Sequence, residues 1–190
     1  MSKYNKNGYI CIYYNYFNNR LIYKKMKKTA LLFILLLSSF IINAQELKIG
    51  DKLPDFKLVS SVYGNVSSSS LKGKVVLINL FATWCGPCQK ELAEVQSTLW
   101  PKYKDNKDFA LIVIGREHTD DQLKAYNERK KFTFPLYPDP KREVYSMFAN
   151  QTIPRAYLFD KEGNLVYSSI GYTEDEFSKL MQAIKENLDK

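Results

Sequence analysis

The chain has 190 residues, with 28 Lys plus Arg against 20 Asp plus Glu, one His, three Cys and an apolar share of 45%. That composition excludes a disordered chain and a cysteine-dense miniprotein, and the length fits one ordinary domain. Seven of the basic side chains and none of the acidic ones lie in residues 1 to 44, so the remainder carries a net charge of only about +1; no concentrated basic face is left to release counterions from phosphates, and nucleic acid is not an expected partner.

The leader reads in two parts. Residues 1 to 25 are rich in Asn, Tyr and Lys and show no periodicity, as expected of an upstream extension from a misplaced start codon. Met26-Lys27-Lys28 opens a positive segment, the run from Thr29 to Ile42 is almost wholly apolar, and Asn43-Ala44-Gln45 follows. This is the layout of a secretory signal peptide over residues 26 to 44, cleaved after Ala44; a spanning helix needs about 20 apolar residues, so an uncleaved anchor is the secondary reading. The expected compartment is the periplasm or another extracytoplasmic space. Cys11 then falls outside the mature protein, and residues 45 to 190 form the single folded domain.

Along that domain, Lys57-Leu58-Val59 and the stretch after Gly64-Asn65 predict a hairpin, and the serines from 67 to 70 a polar edge or loop. The nearly continuous apolar run from Val75 to Phe81 predicts a strand buried on both faces. Cys85 to Leu99 turns helical, with Leu92, Val95 and Leu99 at spacings of three and four. Phe109 to Ile114 is a second strand, and Asp120-Asp121 starts a polar helix reaching about Lys131. Pro135, Pro138 and Pro140 mark an irregular crossing, followed by a short helix over Arg142 to Phe148. Ala156 to Phe159 and Leu165 to Ile170 flank a hairpin turn, and an amphipathic helix from Glu174 to Leu188 closes the chain. The predicted class is α/β: a mixed sheet with helices on both faces and an N-terminal β-hairpin.

The two remaining cysteines, Cys85 and Cys88, are three residues apart. A bridge this short closes almost no loop and contributes little chain-entropy stabilisation, so the pair suits reaction better than reinforcement.

Ala82-Thr83-Trp84-Cys85-Gly86-Pro87-Cys88 follows a buried strand and opens a helix, and Thr152-Ile153-Pro154 precedes a later strand. A bare C-x-x-C is a weak signal, whereas W-C-G-P-C between a strand and a helix is a strong one. In these segments and in Lys74 to Phe81 the sequence resembles the thioredoxin-fold, TlpA/ResA-type exported thiol-disulfide oxidoreductases, over roughly residues 48 to 188. The first unpaired N-H groups of the helix and the positive end of its dipole favour a thiolate at Cys85, and only the thiolate attacks disulfides. Pro87 suits the first turn because it has no N-H to leave unpaired. Cys85 is therefore the expected nucleophile and Cys88 the resolving thiol.

Glu91, one turn beyond Cys88, can share its helical face. The resemblance implies that it assists proton transfer; a solvated, dipole-matched surface role is the alternative. Asn79 stands where cytosolic thioredoxins carry a buried Asp, and it cannot titrate. The resemblance also implies a cis Ile153-Pro154 bond beside the cysteines, with the Ile153 backbone free to pair with an extended substrate. Arg155 departs from the Thr common at that position. Trp84, Gly86 and Pro87 complete the expected substrate-binding set, Trp84 either shielding the sulfurs or packing inside.

His118 follows the second strand and could approach the active site, but it is expected to be an exposed loop residue. Tyr126, Tyr137, Tyr145, Tyr157, Tyr167 and Tyr172 are expected to be half-buried, and the sequons at Asn65 and Asn150 carry no functional weight. The chemistry requires no bound cofactor and no metal, since a closed zinc site would need two more ligands beside the cysteines. The expected activity is reduction of protein disulfides, with cytochrome c maturation as one setting and a membrane thiol-disulfide protein as electron donor. The alternatives are the same chemistry run as oxidase or isomerase, a peroxidase, whose P-x-x-x-T/S-x-x-C pattern is absent around Cys85, and a copper chaperone, whose C-x-x-x-C spacing is also absent.

Overall fold

The computed structural model describes residues 46 to 190; the readings of the leader, with its start site and Cys11, lie outside them. Its central strand, β3 (Val75–Phe81), is buried at every position, as an uninterrupted apolar run requires when both faces are covered. β3 pairs in parallel with β4 (Phe109–Arg116) and antiparallel with β6 (Arg155–Phe159). Outside these, β5 (Leu136–Asp139) runs parallel to β4, and β7 (Leu165–Ile170) antiparallel to β6. The sheet order is β5-β4-β3-β6-β7, and β1 (Lys57–Ser60) with β2 (Gly64–Ser67) forms a separate antiparallel hairpin.

The strand β5 corrects the expected irregular crossing. Pro138 lies within it, opposite Gly115 of β4. Proline cannot donate to a ladder, but an edge strand has one unpaired side on which the missing N-H costs nothing. Three prolines within six residues hid a strand whose position in the sheet tolerates them.

The helix opening at the cysteines also differs in detail from its expected span. α1 (Gly86–Glu94) runs into a π turn over Val95–Leu99 and then into α2 (Trp100–Tyr103). In regular α geometry the ring of Pro101 would press on the carbonyl of Ser97 and supply no N-H to it. Widening the turn resolves this, with the Trp100 N-H reaching Val95 O instead. α3 (Asp120–Lys130) is capped by Thr119, whose hydroxyl accepts from Gln122 N-H while the Gln122 side chain accepts from Thr119 N-H. α4 (Tyr145–Phe148) is one turn long, and α5 (Glu174–Leu188) is capped by Thr173.

Alternation along β3 sorts two cores. Val75, Leu77 and Phe81 face the side on which α1, α3 and α5 bury Leu92, Leu123, Tyr126, Phe177, Leu180 and Ile184. Val76, Ile78 and Leu80 face the hairpin and α4, against Phe56, Leu58, Tyr145 and Phe148. Four of the six tyrosines expected to be half-buried, Tyr126, Tyr137, Tyr145 and Tyr157, are fully buried; Tyr167 and Tyr172 are intermediate. Among the described residues no helix is long and apolar enough to cross a membrane.

The hairpin is tied to α3 by Asp120. Its carboxylate accepts from the Ser60 hydroxyl at 2.8 Å and from the Ser61 N-H. Slight burial pushes the Asp120 carboxyl up, and the hydrogen bonds from Ser61 and Ser60 outweigh that and hold it below the usual aspartate range. Asp120→Ala is expected to lower stability by about 1 kcal/mol in urea unfolding at neutral pH. Because the carboxyl is held low in the folded chain, this contribution is present above the unfolded aspartate range and fades as the pH falls through the folded value.

Candidate active site

The redox pair sits where β3 hands over to α1. At the end of the strand the Cys85 N-H turns back to Ala82 O at 3.1 Å, so residues 82 to 85 make a tight loop. Cys85 is then the helix N-cap: its sulfur accepts the Cys88 N-H at 3.2 Å, with Pro87 in the first turn. The two sulfurs are joined as a disulfide. The pair is asymmetric, since Cys88 is fully enclosed while Cys85 keeps a small exposed remainder of 6%. On reduction the same amide and helix end favour negative charge on the Cys85 sulfur.

Glu91 lies one turn beyond Cys88 and is 3% exposed, which rules out the solvated surface role. Its Oε2 accepts from Asn79 Nδ2 at 2.8 Å across the β3–α1 interface. Burial pushes the Glu91 carboxyl up from 4.5 to about 7, against the smaller opposing pull of the Asn79 hydrogen bond. Asn79 Oδ1 is itself buried without a hydrogen-bond partner among the described residues. A strand residue that cannot ionise therefore faces a helix residue poised near neutrality.

Trp84 is 64% exposed, so it does not pack inside. The Arg116 guanidinium lies 5.7 Å from its ring centre. Arg116 also donates to Gln151 O at 2.6 Å, just ahead of the proline loop, and stacks 4.9 Å from the Tyr145 ring. One side chain thus spans the redox loop and the segment leading to Pro154. Glu117 reaches both Arg116 and Arg142, at 3.3 and 3.7 Å. The sequence offered no signal for this bridge, because Arg116 meets its partners only through the sheet order.

The Ile153-Pro154 bond is cis. Pro154 O accepts the N-H of Gly171 at 2.9 Å, and Ile153 packs at the margin of both cores. Arg155 does not face the cysteines. Alternation along β6 sends it to the opposite side, where its Nε donates to the Tyr157 hydroxyl at 2.9 Å and Nη2 meets Glu46 at 3.0 Å.

His118 is the main correction among individual residues, being buried at 6% exposure where an exposed loop residue was expected. Its Nε2 accepts the Thr83 N-H at 2.8 Å, and its Nδ1 lies 3.0 Å from Glu117 O. The lone histidine of the chain touches the loop carrying Cys85, a contact that no local spacing could reveal. Among the described residues no three His, Cys, Asp or Glu side chains converge as metal ligands.

The comparisons agree with this geometry. The family model described as AhpC/TSA matches residues 49–168. The chain is 30% identical over 159 residues to the thiol-disulfide oxidoreductase ResA of Bacillus thuringiensis (strain Al Hakam), covering 77% of this chain and 91% of that one. A solution structure of a candidate protein disulfide isomerase from Bacteroides thetaiotaomicron is similar at 38% identity and a TM-score of 0.72, over 76% of this chain and 92% of that one. A candidate thiol:disulfide interchange protein DsbE from Chlorobium tepidum is similar at 28% identity and a TM-score of 0.67, over 75% and 99% respectively. The family match over residues 49–168 and the 30% identity to ResA, with a cysteine pair at a helix mouth, place the chain in the AhpC/TSA family, among its TlpA/ResA-like thiol-disulfide oxidoreductases of thioredoxin fold.

Proposed function

We propose that the protein reduces protein disulfides outside the cytoplasm, with Cys85 attacking, Cys88 resolving and Glu91 carrying the proton that Cys88 sheds. The reaction begins with the reduced pair. The Cys85 thiolate attacks one sulfur of a substrate disulfide; a mixed disulfide forms, and the other substrate sulfur leaves as a thiolate. Cys88 passes its proton to Glu91, and its sulfur attacks Cys85, releasing the second substrate thiolate. Two electrons have then moved to the substrate, and the protein carries the Cys85-Cys88 bridge. The Glu91 proton is available to a departing thiolate.

What carries this reading is the asymmetry of the pair: an outer sulfur at the helix mouth above an enclosed one, with a buried carboxyl near neutrality one turn away. Trp84, Gly86 and Pro87 from one side and Ile153 and Pro154 from the other form the groove for an extended substrate segment. The leader pattern supports export. An exported protein has no soluble nicotinamide system, so a membrane thiol-disulfide protein re-reduces the bridge. By resemblance, the cysteines of cytochrome c precursors are the substrates first to be tried.

Direction follows from relative potentials. Equilibration with glutathione buffers is expected to give a potential near that of thioredoxin, about −270 mV, and not near the strongly oxidising value of about −120 mV. A potential at the oxidising end would turn the reading to a thiol oxidase.

A further inference from the structure

The end of β4 is built around His118. Gly115, paired with Phe81 of β3, is closely packed: a Cβ there would lie 2.8 Å from Leu123 Cδ2, forcing that side chain to shift, and 3.4 Å from His118 Cδ2. The chain then turns back, with His118 N-H donating to Gly115 O at 3.3 Å and Glu117 in the left-handed region at φ 62°. Glu117 is held in that conformation by its N-H to Asp139 O at 2.9 Å and by its carboxylate between Arg116 and Arg142. The result is an imidazole packed edge-on against Phe81 with both nitrogens aimed at backbone groups.

Those two contacts fix the proton. Thr83 N-H can only donate, so Nε2 must be bare; Glu117 O can only accept, so Nδ1 must carry the hydrogen. The next peptide is held too, the Thr83 carbonyl accepting from Gln89 Nε2 at 3.1 Å. Thr83 is two residues before Cys85, in the loop closed by the Cys85 N-H to Ala82 O. We propose that His118, as the neutral Nδ1-H tautomer, is a positioning residue for the attacking sulfur, holding the Thr83 amide and with it the loop that seats Cys85 on the mouth of α1. This rests on the reading of Cys85 as the nucleophile. Without the acceptor, the Thr83 N-H must find another partner, and the loop moves to supply one.

The test uses the purified reduced protein and its His118→Phe and His118→Gln variants. Phe keeps a ring but offers no acceptor, whereas the Gln Oε1 can take the Thr83 N-H. Iodoacetamide labelling of Cys85 at neutral pH is expected to slow several-fold in His118→Phe, as the thiolate population falls, and to recover most of that loss in His118→Gln. A role confined to packing predicts the reverse ranking, and that ranking, or unchanged labelling in both variants, overturns the proposal. Should the Phe variant fail to fold, the wild-type protein still decides: its single histidine gives one imidazole set in long-range ¹H–¹⁵N spectra, expected as the Nδ1-H form. An Nε2-H form overturns the proposal. Failure of the underlying reading looks different, because Cys85 in the wild type would then label no faster than an ordinary thiol.

Discussion

Cys85→Ser is expected to abolish disulfide reduction, to below about one thousandth of the wild-type rate, while Cys88→Ala arrests the reaction half-way with substrate bound to Cys85. The hydroxyl of serine does not form a disulfide, so no second route opens when the outer sulfur is lost. Cys88→Ala leaves the outer thiolate, its helix mouth and the groove in place, and removes only the sulfur that ends the mixed disulfide. Neither change should unfold the protein: the bridge spans a sequence separation of 3 and closes too short a loop to contribute much chain-entropy stabilisation. The measurement is non-reducing electrophoresis with mass spectrometry of the adducts formed on disulfide-containing proteins. Equal trapping by Cys85→Ala would reverse the two roles, and release of both product thiols by Cys88→Ala at the wild-type rate would show that resolution does not need the inner sulfur.

The parts of this site that could be read from the sequence are those fixed by local geometry. The buried strand, the helix mouth and the placement of both sulfurs follow from an apolar run, a proline in the first turn and a spacing of three, all within Val75 to Leu92. The central strands β3, β4 and β6 were legible for the same reason. β5 was not, because tolerance of Pro138 depends on its being an edge strand, which is a property of the whole sheet. The burial of His118 and the partners of His118, Arg116 and Arg155 were not legible for a related reason. Each acts on a segment 30 or more residues away or on the reverse face of the sheet, and amphipathic periodicity carries no information about such partners. Glu91 lies between these cases: its helical face was legible, but its burial depends on Asn79 of the neighbouring strand.

Glu91→Gln is expected to separate stability from turnover. In the folded oxidised protein burial raises the Glu91 carboxyl from 4.5 to about 7. Between those values the folded chain holds a proton that the unfolded chain has released, so stability falls as the pH rises through this window. The contribution is fully present below the unfolded value and is lost once the pH passes the folded one; its size is of order 3 kcal/mol. Gln has nearly the same shape and no charge to bury. Its amide can accept from Asn79 Nδ2 and also donate to Asn79 Oδ1, which has no partner among the described residues of the wild type. The oxidised variant should therefore match the wild type near pH 4 and exceed it by a few kcal/mol above pH 8 in urea titrations, its pH slope across the window gone. Turnover should move the other way. With no carboxylate to take the Cys88 proton, resolution of the mixed disulfide is expected to slow by about 10²-fold at pH 7 and to lose its inflection near that pH. A more stable protein that turns over more slowly cannot be explained by damage to the fold. A Gln variant with the wild-type pH–rate profile would remove Glu91 from the proton path and leave its burial as a cost without a chemical return.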